Sequence, residues 1–522
     1  MMPSLWQKDL FSLENEAFFV SIACMSSSKA QQDEWSGKIG VILAVAGSAV
    51  GLGNFLRFPG LAAQYGAFMV AYGLMLVLVG VPVAWAEWSI GRRGGQMGAH
   101  CAPGVFWYLT KGSRLWKFLG VLAVLGPSSV AFYYMVVEAW CCGYFWKTFF
   151  SFTGMYGDGS ALLSNNGLLW IVGGVILLNL GIIYRGISKG IEMFSRWFMP
   201  ILLLISLVLL VRILCIGTPD PSYPDRSIEQ GLGYMWNPSK VLVEEQDRDS
   251  GEWKTVSMVS ASHRGAMDEA VRQVEMSGGT RRLTEVTLWD GLKNIELWIA
   301  AAGQVFLSLS VGTGLILTYA SYVRKKEDIA LSGLSAAASN EVCEVGIAGM
   351  MTVPAAVAFL GVAGAAGQGT FALGFMVLPQ AFAKMGSSVI FGSLFFLLLT
   401  VAAVTSSISM MQVGLSFIEE FMGLKRKMAV VVQGFFTATG TLIVAWYSGN
   451  LLAMDTYDFF LGTLCFFVSA MVMMILFSWK LGVDRGLMDL EDGSVIRIPR
   501  IYRFIMKFVT PTLLLAIFLT WL

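Results

Sequence analysis

Two short glycine motifs inside long apolar runs are the first residues in this sequence that could do chemistry. Both read V-G-x-G, at residues 50–53 and 311–314, and Ser308 and Ser310 precede the second. Glycine weakens a helix interior, so each motif predicts a helix that is interrupted. An interrupted apolar helix offers carbonyl groups to a cation and the amide groups of a helix N-terminus to an anion. The motifs therefore predict a binding site for small charged ligands.

Helix packing is the competing interpretation of the first motif. Gly47 and Gly51 also form a G-x-x-x-G face, which lets two helices approach closely. The second motif argues against packing alone, because a distant apolar run carries the same interruption. Hydroxyl groups lie beside that second motif, and close helix packing does not specifically require them.

The elements that position these motifs follow from composition. The chain has 522 residues, of which 56% are hydrophobic and only 14% charged, and its mean hydropathy is +0.66. A soluble domain of this length needs more polar surface. Apolar runs of about 17 to 25 residues, long enough to cross a bilayer, recur along the chain. They predict about eleven transmembrane helices, at 38–66, 68–90, 116–146, 167–184, 192–214, 295–322, 336–365, 388–418, 426–447, 455–479 and 499–521.

The arrangement of these helices is also predictable. The runs lack strand-like alternation, and only helices or closed barrels satisfy the backbone in lipid, so an all-α integral membrane bundle is expected. Segments 91–117, 185–196 and 480–503 are rich in Lys and Arg, which predicts a cytoplasmic N-terminus. The two motifs fall in the first and sixth helices. The second half therefore begins with the opposite orientation, as in a 5+5 inverted repeat.

Two segments are expected to lie outside the membrane domain, which is taken as 35–522. Residues 1–34 are predicted to be a cytoplasmic tail, and 1–24 are either a disordered extension or lie upstream of the true start. Residues 215–294 are predicted to be an extracellular loop with an insertion at 238–294. The pattern at 265–276 predicts a short helix there. A folded cap and a docking site for a partner both remain open for this loop.

Other classes of protein are disfavoured. The seven cysteines show no metal-ligand spacing and no disulfide framework. His100 and His263 both lie outside the predicted helices, and no nucleophile and base are paired in the sequence, so an enzyme is not expected. Topology explains the Lys and Arg clusters, so nucleic-acid binding is not expected either.

Several segments resemble a known family. Among them are GSAVGLGNFLRFP at 47–59, GQVFLSLSVGTG at 303–314 and VTSSISMMQ at 404–412. With others they cover nearly every predicted helix, and on them the chain resembles the neurotransmitter:sodium symporters, closely their bacterial leucine-transporter branch. The resemblance implies the leucine-transporter fold, with unwound first and sixth helices. It also implies sodium-coupled import of a neutral amino acid across the bacterial inner membrane, with no indication of oligomeric state. A proton-coupled carrier and a substrate-binding sensor of the same fold remain alternatives.

The resemblance implies two sodium ions, each held by oxygen atoms, as suits a hard cation. The first site would be completed by the substrate carboxylate and would otherwise consist of Ala49, Asn54, Ser308 and Asn340. The second would consist of the carbonyl groups of Gly47, Val50 and Ala402 with the hydroxyl groups of Thr405 and Ser406.

The same resemblance places the substrate between these helices. Its carboxylate would face the Tyr134 hydroxyl and the amides of Leu52 and Gly53. Its ammonium would face Ala49, Leu307, Ser308 and Ser310. Its side chain would be surrounded by Val130, Leu307, Thr313, Ser406 and Met410.

Two substitutions relative to the family bear on the substrate. Gly51 occupies the position where monoamine carriers have aspartate, which favours an α-amino acid. Leu307 and Thr313 stand where the leucine transporter has phenylalanines, which favours a large apolar or aromatic side chain.

The resemblance also implies gates at both ends of the pathway. Arg57 and Asp458, with Gln304 beside the arginine, would form the outer gate. Tyr322 and Glu420 remain at the inner gate. Gln32 replaces the arginine of relatives, however, so the usual inner gate is in doubt.

Three further acidic residues lie in the predicted helices. Glu344 matches a glutamate that replaces chloride in chloride-independent relatives, so no chloride requirement is expected. Glu87 and Glu138 are expected to cap or hydrogen-bond broken backbone and not to bind the transported ion.

Overall fold

The computed structural model describes most of the membrane domain. The described residues are 35–65, 67–150, 166–223, 226–237, 239–246, 253–259, 264–366, 374–375, 378–383, 387–447 and 456–520. The predicted tail at 1–34, including Gln32, lies outside them.

Helices occupy all eleven predicted positions, which confirms the membrane bundle. Within the described residues, nine helices are long and apolar enough to cross a bilayer. They are the second to fifth spans, Phe68–Gln96, Arg114–Phe150, Gly167–Tyr184 and Ile187–Leu214, and the seventh to eleventh, Ile329–Val362, Ser388–Met422, Arg426–Tyr447, Phe459–Glu491 and Ile501–Leu519. Several helices continue past their apolar runs, as the second does to Gln96. Helix hydrogen bonds do not require lipid, so polar ends remain helical at the membrane surface.

The first span is broken as predicted. It consists of Lys38–Ala49 and Gly53–Gln64, which meet at an angle of 47°. Val50, at the break, has non-helical dihedral angles of φ −74° and ψ 88°. The chain resumes as one turn of π-helix, Gly53–Arg57, before Phe58–Gln64.

The sixth span is broken at the matching motif. It consists of Ile295–Leu309 and Leu315–Ala320. Between them Ser310, Gly312 and Gly314 all have positive φ, at 54°, 76° and 68°. Glycine adopts this conformation without steric cost, which explains two of the three residues. The two predicted unwound helices are therefore confirmed.

The two broken spans lie inside the bundle. The third span packs against the eighth, and the first contacts the fifth, seventh and eighth. Large apolar side chains on the outer faces are exposed, among them Trp197, Leu204, Phe435 and Trp446. Such side chains suit a lipid environment, so the polar breaks lie in the protein interior and the apolar faces meet the bilayer.

The predicted extracellular loop contains a small folded module. Strands β1 (Lys240–Gln246), β2 (Trp253–Val259) and β3 (Arg281–Val286) form an antiparallel sheet in the order β2-β1-β3. The helix Arg264–Met276 confirms the short helix predicted at 265–276 and packs on this sheet. The strands were not predicted, and they are confined to the insertion outside the membrane. Val241 and Val243 of β1 are buried, so this part of the loop has its own core.

Shorter helices connect these elements. They are Ala102–Leu109, Ile228–Trp236, Leu288–Lys293 and Leu378–Ala383. The first of them lies between the second and third spans in the chain and contacts the second and eighth spans.

Replacement of Gly312 by alanine tests the sixth-span break. We expect Gly312→Ala to lower stability by about 2 kcal/mol or more, because positive φ is costly for alanine and the new methyl group would meet the Phe466 carbonyl. The measurement is the melting midpoint in detergent. Gly174→Ala is the control, since a methyl group there meets nothing within 4 Å. Equal midpoints for the two variants would contradict the assigned backbone conformation.

Candidate functional site

The two breaks meet the eighth span at one backbone carbonyl. The Ser48 carbonyl oxygen accepts hydrogen bonds from the hydroxyl groups of Ser310 and Ser406, each at 3.2 Å. Ser310 belongs to the sixth-span break and Ser406 to the eighth span. The carbonyl that precedes the first-span break therefore joins three spans.

Other buried groups satisfy the amides that the breaks release. Glu87 Oε1 accepts from the Gly312 amide at 2.5 Å, and the Asn54 side chain accepts from the Gly51 amide at 2.9 Å. The Leu52 amide donates to the Tyr134 hydroxyl at 3.2 Å. Glu87 is thus a partner of broken backbone, as expected. Each bond removes the cost of an unpaired amide in the membrane interior.

A cavity of about 320 Å³ lies between the broken spans and the third, eighth and tenth spans. Eleven of the twelve predicted substrate residues line it: Ala49, Gly51, Leu52, Gly53, Val130, Tyr134, Leu307, Ser310, Thr313, Ser406 and Met410. The twelfth, Ser308, does not, because its hydroxyl is directed to Glu344 and Asn340. The contact predicted between Ser308 and the substrate ammonium group stays a prediction.

Sequence reasoning missed part of the lining. The missed residues include Ser48, Tyr133, Val137, Phe459, Thr463 and Phe466. Val137 follows Val130 and Tyr134 at helical spacing, so that pattern could have identified it. The tenth span gave no such signal, since apolar residues lie on every face of it.

An oxygen-rich cluster lies beside the cavity, at the predicted first sodium site. The Asn54 amide donates to Asn340 Oδ1 at 2.8 Å, and the Asn340 amide donates to Ser308 Oγ at 2.5 Å. Ser308 in turn donates to the Glu344 carboxylate. All four side chains are buried. The structure thus joins the three side chains predicted for this site, and their oxygen atoms are of the type that a hard cation prefers.

Glu344 is held in place by several donors. Tyr72 donates to its carboxylate at 2.6 Å and Asn340 at 3.3 Å, and Gln304 and Ser308 donate as well. These bonds compensate for the cost of burying the carboxylate. A fixed acidic group therefore stands next to the oxygen cluster.

The predicted second sodium site lies on the other side of the first span. The Thr405 hydroxyl donates to the carbonyl groups of Val401, at 3.1 Å, and Ala402, at 3.0 Å. Ser406, the next residue, reaches Ser48 beside the first-span break. Gly47 faces the fifth span, where an added methyl group would lie 3.2 Å from Met199 Sδ. Hydroxyl and carbonyl oxygens of the first and eighth spans are thus adjacent here.

The predicted outer gate is described in part. Arg57 lines the cavity, and its guanidinium lies close to Gly303 of the sixth span. Gln304 bonds Glu344 and the Gly53 carbonyl, and no direct bond from it to Arg57 is present in the part of the chain that the structure describes. Asp458 begins a π-helical turn, Asp458–Leu464. Its side chain lies outside the described part of the structure.

Comparison with known proteins identifies the family. The model of the sodium:neurotransmitter symporter family matches residues 32–157 and 271–522, which is most of the chain. The chain belongs to this family. Residues 1–31 and 158–270 are unmatched, and the second of these segments includes strands β1 and β2.

Individual members of the family match along nearly the whole chain. An uncharacterized sodium-dependent transporter of Haemophilus influenzae is 24% identical over 95% of this chain and 99% of its own length. The sodium-dependent dopamine transporter of Caenorhabditis elegans is 22% identical over 93% and 79%. The crystal structure of MhsT in complex with L-phenylalanine has a TM-score of 0.74 at 24% identity, covering 94% of this chain and 100% of that one. This protein is therefore a sodium-dependent membrane transporter with the same fold.

Several contacts join the spans on the predicted inner side of this symporter. Trp35 is buried, and its indole donates to the Tyr319 carbonyl at 3.0 Å, which joins the inner halves of the first and sixth spans. The His100 ring stacks on Tyr322 with centroids 4.2 Å apart and bonds Ser321 Oγ at 2.9 Å. Burial lowers the pKa of His100 to about 4, so its ring is neutral near pH 7.

The structure shows hydrogen-bond partners for Tyr322 and Glu420, and their role at the inner gate stays a prediction. Glu420 accepts the backbone amides of His100, at 2.9 Å, and Cys101, at 3.0 Å. These amides belong to the two residues just before the helix Ala102–Leu109, and their bonds satisfy the carboxylate. Tyr322 bonds Ser416 at 3.3 Å. Glu420 thus contacts the loop after the second span, and Tyr322 contacts the eighth span.

Glu138 was expected to cap or hydrogen-bond broken backbone, and its described partners lie elsewhere. It accepts from Asn179 of the fourth span at 3.0 Å, and Asn179 accepts from Ser407 at 2.8 Å. It therefore links intact helices, and no described bond connects it to a break.

A polar cluster fixes the start of the first span to the fifth. The Ser36 amide donates to Glu192 Oε2 at 2.9 Å, and the Ser36 hydroxyl also donates to this carboxylate. Arg196 pairs with Glu192 at 2.7 Å and donates to Ser36 Oγ at 2.8 Å. Glu192 is buried and packs directly on Gly40. The sequence gave no sign of this cluster, because its members lie about 160 residues apart.

Neutralising Glu192 should release the inner end of the first span. We expect Glu192→Gln to weaken the bonds to Ser36 and Arg196 and so favour the state that opens inward. The measurement is maleimide labelling, from the cytoplasmic side, of a cysteine at the buried position Ala44. Labelling should be several-fold faster in the variant. Glu229→Gln, at an exposed position of the loop, is the control; equal rates in all three backgrounds would contradict a role for Glu192.

Proposed function

We propose that this protein imports a neutral α-amino acid with a large apolar or aromatic side chain, driven by two sodium ions. The observation that carries this proposal is the cavity at the two breaks, which combines backbone groups and a tyrosine hydroxyl with an apolar wall. The oxygen cluster at Asn54, Ser308 and Asn340 is adjacent to it. An ion and a substrate can therefore share neighbouring groups, which is the physical basis of coupling.

The geometry at Gly51 supports an amino acid over a monoamine. A methyl group added there would lie 2.6 Å from Ser406 Oγ and 3.0 Å from the Tyr134 hydroxyl. An acidic side chain therefore has no room at this position, and an amine substrate would find no carboxylate partner. A substrate that carries its own carboxylate can use the Tyr134 hydroxyl and the Leu52 amide instead.

The side-chain end of the cavity supports a large apolar group. Val130, Val137, Leu307, Met410 and Phe466 contribute to its wall. Arg57 is the only charged residue among the described lining residues, so a positively charged substrate side chain would lack a partner of opposite sign. The related MhsT structure contains L-phenylalanine, which is consistent with a substrate of this class.

In the proposed cycle, sodium binding stabilises the arrangement of the first and eighth spans. The carbonyl groups at the first-span break and the Thr405 and Ser406 hydroxyls would hold the second ion. Its departure toward the cytoplasm would remove this link, and the inner half of the first span could then move. The contacts of Trp35 and Glu192 with the sixth and fifth spans oppose that movement until the ion leaves.

Removal of single sodium ligands tests this mechanism in liposomes. We expect Asn54→Ala and Thr405→Ala each to lower sodium-driven uptake of labelled phenylalanine or leucine by about tenfold or more, because each removes an oxygen ligand. Thr400→Ala is a matched control. Thr400 lies on the same helix and bonds the Phe396 carbonyl at 2.8 Å, much as Thr405 bonds that of Val401. Undiminished uptake in both site variants would refute the ion assignments.

Chloride dependence tests the role proposed for Glu344. We expect uptake to be unchanged when gluconate replaces chloride on both sides of the membrane, because the buried carboxylate already supplies the negative charge beside the first sodium site. Sodium-dependent uptake is measured in matched liposomes with each anion. A clear fall without chloride would show that Glu344 does not substitute for it.

A further inference from the structure

A second cavity, of about 700 Å³, opens where the fifth span ends, on the predicted outer face. It lies between the last turn of that span, the loop that follows it and the end of the seventh span. Two arginines line it, with Asp220, Tyr223 and Phe359. Neither the substrate pathway nor the sodium sites include any of these residues.

Neither arginine, Arg212 or Arg226, forms an ion pair with a described residue. The Arg212 guanidinium lies 5.4 Å from the centre of the Phe391 ring, and that of Arg226 lies 4.4 Å from the Tyr223 ring. Asp220 lines the same cavity, but its Oδ1 accepts from the Ser222 amide at 3.0 Å. The described lining thus has two positive charges and one negative charge.

Arg226 is fixed in position by packing. Its Nε is buried and has no hydrogen-bond partner among the described residues. It lies over Gly361, where the seventh span has non-helical dihedral angles with φ 75°, and a methyl group added there would be 3.2 Å from Nε. A buried donor without an acceptor is costly unless a neighbouring interaction compensates. A bound anion at the guanidinium would supply that compensation.

The surroundings of the two arginines indicate which kind of anion would be available to bind them. Planar guanidinium groups bind phosphate oxygens through paired hydrogen bonds. The helix face below Arg212 exposes Leu207, Val208 and Val211, which suit the acyl chains of a lipid. Phospholipid head groups lie at the depth where a membrane-spanning helix ends.

We propose that Arg212 and Arg226 form a binding site for a phosphate group, supplied by the head group of a phospholipid. The aromatic rings hold the two guanidinium groups, and the exposed apolar face of the fifth span accommodates the chains. This site is separate from the transport function proposed above. Its test requires no transport measurement.

The test compares probes that differ in the phosphate group. Binding of dioctanoyl-phosphatidylglycerol, dioctanoylglycerol and inorganic phosphate to the purified full chain is measured by native mass spectrometry and by competition. We expect phosphatidylglycerol to bind and the phosphate-free lipid not to bind. Arg212→Gln and Arg226→Gln, tested singly, should each weaken phosphatidylglycerol binding by about tenfold or more, whereas Arg185→Gln, exposed at the opposite end of the bundle, should not.

Each outcome decides the proposal. If inorganic phosphate competes with phosphatidylglycerol, the phosphate site is supported and free phosphate is a second source of the ligand. The same holds if only inorganic phosphate binds and its binding depends on the two arginines. Equal binding of phosphatidylglycerol to the wild type and to either folded arginine variant would overturn it, as would equal binding of dioctanoylglycerol. Thermal unfolding followed by circular dichroism shows which variants are folded. If Arg226→Gln does not fold, Arg212→Gln alone decides the proposal.

Discussion

In the interior of a bilayer, every backbone amide and carbonyl group must find a partner within the protein. The rest of this structure depends on that constraint, because two of its helices are broken in the membrane. The Glu87 carboxylate accepts a hydrogen bond from the Gly312 amide, and the Asn54 side chain accepts one from the Gly51 amide. The Ser48 carbonyl receives hydroxyl groups from two other spans. The breaks exist only where side chains of the same span or of neighbouring spans supply such partners.

The groups that satisfy the breaks also create the binding site. The Tyr134 hydroxyl accepts from the Leu52 amide and lines the cavity, so the hydroxyl that satisfies the broken backbone would also be the donor to a substrate carboxylate. Asn54 closes the first-span break and also contacts Asn340. Ligand binding and helix geometry are therefore linked through shared atoms, which is how occupancy of the site can influence the position of a helix.

The predicted inner side contains contacts that the family resemblance did not imply. Glu192 and Arg196 hold the start of the first span against the fifth, and Glu420 and the His100 ring bind the loop after the second span to the eighth and sixth spans. These contacts join segments far apart in the chain. Buried, hydrogen-bonded charges of this kind lose much of their stabilisation when one partner is removed. They are suited to hold a closed state that a single movement of the first span can release.

The sequence by itself determined the number and positions of the membrane helices, because a bilayer demands long apolar runs. It also located both breaks, because V-G-x-G inside such a run is hard to reconcile with an intact helix. Most of the cavity lining followed once the family resemblance was recognised. The strands of the external module were missed, since no sequence pattern marked them within a mixed-charge loop. Only the tertiary structure placed Phe459 and Phe466 in the cavity and Glu192 beside Ser36. A helix that is apolar on every side does not show which face meets a site, and contacts between distant segments depend on how the spans pack together.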